Sequence, residues 1–234
     1  MIEVIYEDNH LIVVNKKSGD IVQGDKTGDV PLSDKVKAYI KEKYNKPGEV
    51  FLGVVHRIDR PVSGVVIFAR TSKALARMNA MFQSKEIQKT YWAVVKNKPM
   101  HTQELVVRYL TKNEKQNKSY CSKVAKEGAL KSELTYTLLA SSDNYHLLEI
   151  NPHTGRHHQI RTMLADIGCP IKGDLKYGFN RSNPDGSIHL HARAVKFEHP
   201  VTKEPVFIKA NPPKDAVWDY FANLLARLRD GLIC

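Results

Sequence analysis

The residues best placed to do chemistry in this 234-residue chain lie in the stretch from Val54 to Arg70, where His56-Arg57-Ile58-Asp59-Arg60 separates two apolar, β-rich runs, Val54-Val55 and Val65 to Ala69. Asp59 is a lone carboxylate among three cationic or potentially cationic neighbours, His56, Arg57 and Arg60. Such company favours the ionised acid and draws a polyanion to it. An ionised carboxylate there can act as a nucleophile or as a general base. An aspartate in a basic loop also serves simply to cap a turn. Pro61 cannot donate to a strand ladder and Gly64 permits a tight bend, so the chain is expected to leave one strand near Ile58 and enter the next at Val65.

Further polar groups come much later in the chain. Asn151 to Arg161 is expected to open a helix with Ile160, Leu164 and Ile167 on its apolar face, ended at Gly168 before Cys169-Pro170. His157, His158 and Arg161 would then share one turn. Together with His153 and His191 these histidines could suggest a metal-dependent nuclease or phosphoesterase, but no H-E-x-x-H and no clustered aspartates accompany them. A glycoside hydrolase ordinarily needs two carboxylates, and the elbow offers one. Lys89 to Val95 reads as a strand in which Tyr91, Ala93 and Val95 share a face.

His56-Arg57-Ile58-Asp59-x-x-Ser63-Gly64 resembles the H-R-L-D-x-x-[ST]-G signature of the RluA-type pseudouridine synthases. It departs by Ile58 for Leu and by Pro61 in the elbow. Further blocks resembling that family follow in order: Lys89-Thr90-Tyr91, Gly155 to Arg161 (G-R-T-H-Q-[IL]-R, with His157 for Thr), Gly173 to Gly178, and Leu190 to Pro200. The resemblance spans most of the chain. It implies a mixed α/β catalytic domain with a largely antiparallel central sheet and flanking helices, occupying residues 1–234 as a single domain. It also implies isomerisation of uridine to pseudouridine in ribosomal or transfer RNA, without a cofactor. By that resemblance Asp59 is the catalytic aspartate, Tyr91 stacks on the target uracil, and Arg161 pairs with Asp59. Arg57, His56 and Ile160 are the expected substrate-binding residues. Many relatives carry a small RNA-binding domain ahead of the catalytic region, and none is expected in the short stretch before the elbow here. A non-catalytic RNA-binding module would account for the charge equally well.

Composition agrees with an RNA partner. Lys and Arg number 36 against 25 Asp and Glu, a net charge of +11, and basic proteins attract nucleic acid through counterion release. The basicity is concentrated: between Lys85 and Lys131 eleven Lys or Arg face four acids. Within that run the polar stretch 111–126 is expected to be an extended hairpin or flexible arm reaching along a phosphate backbone. Hydrophobic residues make up 42%, no apolar run approaches the ~18 residues of a membrane span, and the N-terminus does not read as a secretory leader. A cytoplasmic monomer with no obligatory protein partner is expected. Cys121, Cys169 and Cys234 are too widely spaced for a disulfide framework or zinc knuckle, and are expected to be reduced.

Elsewhere the pattern predicts a hairpin from Ile2–Tyr6 and Leu11–Asn15 and a loop over Gly19–Gly28. Ser33-Asp34 should cap a helix over Val36–Tyr44, and Thr71 or Ser72 one bearing Leu75, Met78, Met81 and Phe82. A second hairpin is expected from Leu130–Ala140 and Tyr145–Ile150, then a short strand at Glu204–Ala210. A terminal helix from about Asp215 should turn Val217, Phe221, Leu224, Leu225 and Leu228 inward.

Overall fold

A computed structural model describes residues 2–25 and 27–230, which fall into two compact units: the chain up to Lys89 with Ala192–Asn211, and Thr90–His191 with the chain from Pro212 on. The class is mixed α/β with largely antiparallel pairing, as expected.

The first unit begins with β1 (Val4–Glu7) and β2 (Leu11–Lys16), followed by α1 (Leu32–Lys43), β3 (Gly53–Val54), β4 (Ser63–Ala69) and α2 (Ser72–Gln83). It is completed by β10 (Leu190–Glu198) and β11 (Pro205–Lys209), in the strand order β1-β2-β4-β10 with β11 on β10 and β3 on β4. β2 and β4 are apolar on both faces because both faces are covered. Leu11, Val13, Val65 and Ile67 pack with Ala74, Met78 and Met81 of α2. Ile12, Val14, Val66 and Phe68 pack with Leu32, Val36 and Ile40 of α1. Each such fully buried side chain contributes about 1.5–3 kcal/mol of transfer free energy.

Thr71 caps α2 as expected, its Oγ1 accepting from Ala74 N at 3.1 Å. Ser33 does not cap α1. The helix begins two residues earlier than a Ser33 cap would place it, after Pro31, because the carbonyls of Ile21 and Val22 take the Leu32 and Ser33 N–H groups at 2.7 and 3.1 Å. Neighbouring backbone satisfies the donors that a capping side chain would otherwise serve.

The second unit holds β5 (Gln88–Val95), β6 (Gln103–Asn113), β7 (Lys118–Ser122), β8 (Leu130–Ser141) and β9 (His146–Pro152), in the antiparallel order β5-β9-β8-β6-β7. It also holds α3 (Gln159–Asp166), a 3-10 turn at Leu175–Tyr177 and α4 (Ala216–Arg229). Both expected hairpins in this region form, and the polar stretch 111–126 is largely the β6–β7 hairpin, with Asn113 paired to Lys118. α4 packs Val217, Phe221, Leu224 and Leu225 as anticipated. Trp218, which the pattern missed, is buried as well, whereas Leu228 is exposed. Trp218 is drawn in by His189, which stacks on it at 5.2 Å.

Among the described residues no helix is long and apolar enough to cross a membrane. Cys121 and Cys169 are free thiols, and Cys234 lies outside the described residues.

Candidate active site

In the first unit the elbow that carries Asp59 hangs between β3 and β4. β3 stops at Val54, four residues short of the expected Ile58. The cause is His56, whose Nε2 accepts the Ile67 N–H at 3.0 Å and so occupies the β4 donor that the next residue of β3 would have met. The imidazole also stacks on Phe82 at 5.0 Å. Although the residue keeps some exposed surface, its desolvated ring beside the Lys89 ammonium has a pKa pushed down to about 3. His56 is therefore neutral at physiological pH and adds no positive charge to the elbow.

Arg60 is drawn aside by Asp29, 2.7 Å away. Arg57 is exposed and Asp59 half-buried. Two of the three expected cations thus have other employment, and another supplies the local charge: Lys16, at the end of β2 and 1% exposed. Its Nζ donates to the carbonyls of Lys17, Asp20 and Arg60 at 2.9, 2.7 and 3.1 Å. Burial pushes its pKa down to about 8, opposed by the Asp20 and Asp59 carboxylates. Ser18 Oγ donates to Pro61 O at 3.0 Å, Gly19 N to Arg60 O at 2.9 Å, and Val62 N to Asp59 O at 3.0 Å. Asp59 and the residues that follow it are thereby tied in place.

Gly64 lies inside β4 at a φ of +116°, and a Cβ there would sit 2.3 Å from the Ala192 carbonyl oxygen. The glycine admits close backbone approach, rather than making the bend itself.

In the second unit Arg161 is buried on α3 at 5% exposure, facing Asp174 at 1%. The pair is bidentate, Nε to Oδ2 at 2.7 Å and a terminal nitrogen to Oδ1 at 2.9 Å. Two parallel charge-assisted bonds fix the plane of the guanidinium, which also lies 5.2 Å from the Tyr177 ring centroid.

α3 begins only at Gln159, so His157 and His158 precede it rather than riding its first turn. His158 is left-handed at φ 51°, a conformation that interrupts the helix, and its Nδ1 lies 2.9 Å from Tyr177 Oη. His157 stacks on it at 3.7 Å, with Nδ1 2.8 Å from Ser119 Oγ and Nε2 3.0 Å from Asn117 Oδ1. Gln159 stitches the approach to the helix: its Oε1 accepts from Arg156 N and Thr154 Oγ1, and its Nε2 donates to Glu133 O. His153 Nε2 is 2.8 Å from Thr135 Oγ1. Among the described residues no group of three or more His, Cys, Asp or Glu is arranged as metal ligands.

Tyr91 is half-buried on β5 opposite Ile150, and Ile160 is buried in α3. Lys16, Asp174 and Tyr177 were given no role from sequence. Tyr177 and Asp174 belong to the Gly173–Gly178 block, which carried a signal without indicating what the two side chains hold.

A model described as RNA pseudouridylate synthase matches residues 10–166. Ribosomal large subunit pseudouridine synthase C of Vibrio vulnificus is 33% identical over 213 residues, 88% of this chain and 64% of that protein. The chain therefore spans less than two thirds of that relative. A protein named tRNA pseudouridine synthase C, from Vibrio cholerae, is also 33% identical, over 93% of each chain. Among solved structures, human RNA pseudouridylate synthase domain containing 4 superposes with a TM-score of 0.76 at 23% identity, covering 97% of this chain and 93% of that one, a likeness of fold.

Proposed function

We propose, because this chain belongs to the RNA pseudouridylate synthase family, that it isomerises uridine to pseudouridine within ribosomal or transfer RNA. The observation that carries this is the family match over residues 10–166, which takes in Asp59, Tyr91 and Arg161 together. The bond from uracil N1 to ribose C1′ breaks, the freed base turns, and C5 joins C1′ as its proton is lost and N1 gains one. Atoms and electrons balance within the nucleotide, so no cofactor is required.

Asp59 acts on the sugar, either as nucleophile at C1′ or as base at the 2′ proton, and both routes need it ionised. The task assigned to Arg161 is to favour that charged form. Its guanidinium has five N–H donors, and Asp174 takes two of them in the bidentate pair. Tyr91 stacks on the extruded uracil and is a candidate relay for the C5 proton. Arg57, exposed on the elbow, grips flanking phosphates or fills the space the base leaves. His56 and Ile160 complete the proposed substrate side. His56 does so as a neutral ring, consistent with its lowered pKa.

On this reading the two units work as one catalytic domain, as a cytoplasmic monomer without an obligatory protein partner. Incubating the protein with RNA labelled with tritium at uracil C5 tests the activity. Pseudouridine formation releases that tritium to water, whereas an RNA-binding module without catalysis binds the same RNA and releases none.

A further inference from the structure

In the second unit β7, the C-terminal half of α3 and the 3-10 turn line a shallow, open cleft of about 320 Å³. That is at the low end of the roughly 300–1,000 Å³ of small-ligand pockets, the size for a single nucleotide rather than a helix. Its lining combines cations with aromatic rings. Lys118 Nζ lies 5.5 Å from the centroids of both Tyr120 and Tyr177. Lys176 Nζ is held 3.0 Å from Asn117 O at the hairpin turn. Tyr120 is 47% exposed and so offers a stacking surface. The acid in the lining, Asp166, is engaged by Arg108 at 2.5 Å, which leaves the two lysines to set the sign of the cleft.

We propose that this cleft binds one nucleotide of the RNA strand outside the target uridine, its base on Tyr120 and its phosphate between Lys118 and Lys176. The inference rests on the RNA-modifying function proposed above. Stacking platforms beside backbone-tracking cations are how proteins hold single-stranded RNA without reading sequence. The Tyr177 ring that Lys118 overlies is also the ring within 5.2 Å of the Arg161 guanidinium. A nucleotide seated here therefore lies one side chain away from the proposed catalytic arginine. The hairpin is fixed for this purpose: Ser119 N donates to Tyr177 Oη at 2.8 Å, and Ser119 Oγ to His157 O at 2.7 Å.

The test is equilibrium binding of a ribosomal or transfer RNA transcript to the full chain across a salt titration. The proteins compared are wild type, Lys176→Gln, Tyr120→Ala and, as a surface control, Lys203→Gln. Lys176→Gln is expected to weaken binding and to make the slope of log K against log salt shallower by about one. Tyr120→Ala should weaken binding about 5- to 150-fold at every salt concentration with the slope unchanged. Lys203→Gln should match wild type. Wild-type affinity and slope in both cleft variants overturn the cleft assignment and leave the proposed isomerase activity standing. A wild-type protein that neither binds RNA nor releases tritium overturns both. Saturable binding of free uridine monophosphate that Lys176→Gln abolishes, with RNA affinity unmoved, would reassign the cleft to a mononucleotide and overturn the strand proposal.

Discussion

At the scale of single residues, His56 is the clearest case of a side chain whose type was legible and whose state was not. Sequence marks it as one more cation beside Asp59. In the fold its Nε2 is an acceptor for Ile67, and burial lowers its pKa from 6.5 to about 3. Between those values the unfolded chain binds a proton that the folded one refuses, so stability is full above about pH 6.5 and falls as pH drops through the window. The expected loss between pH 7 and pH 5 is about 2 kcal/mol. Urea unfolding at the two pH values should show that loss in wild type and its absence in His56→Gln, which keeps a neutral acceptor. Identical pH dependence in the two proteins would refute the buried neutral imidazole.

Asp174 makes a second case. Removing it takes two charge-assisted bonds from a guanidinium at 5% exposure, and breaking a buried pair from one side costs about 3–5 kcal/mol. Asp174→Ala should lower the urea midpoint accordingly and depress tritium release as well. A change under about 1 kcal/mol would mean that the pair is not what holds Arg161. Asp59 and Arg161 stood out in the sequence because their neighbours repeat a family pattern. Lys16 did not, because a lysine at the end of an apolar strand looks solvated until one knows that three carbonyls converge on it.

At the scale of elements, periodicity located most helices and strands but not β6, whose start at Gln103 it missed, and the errors at element boundaries fall where a tertiary contact overrides a local rule. β3 is cut short by a histidine from its own loop. α1 starts early because another segment's carbonyls cap it. α3 starts late because His158 turns left-handed to reach Tyr177. Gly64 belongs to the same group: the sequence reads it as a bend, whereas the fold needs it for the approach of β10. Gly64→Ala combines a φ of +116° with a Cβ 2.3 Å from backbone, so β4 or β10 must shift. The expected cost exceeds the ~1 kcal/mol of an ordinary glycine-to-alanine strain, read as a fall in Tm of several degrees with loss of soluble yield. A variant as stable as wild type would show that the two strands are not packed this closely.

At the scale of the whole molecule, the fold class was legible through the family resemblance and the basic character through a simple count of charges. The division into two units was not. The first unit is completed by residues 192–211, which return to it after the second unit has been laid down, and no local pattern announces such a return. The proposed isomerisation turns on one group, the Asp59 carboxylate on the elbow. Its most direct measurement is pseudouridine content, by mass spectrometry, in RNA incubated with Asp59→Asn protein shown by circular dichroism to be folded and by filter binding to retain the RNA. The account predicts no pseudouridine above the enzyme-free control; turnover equal to wild type would contradict it.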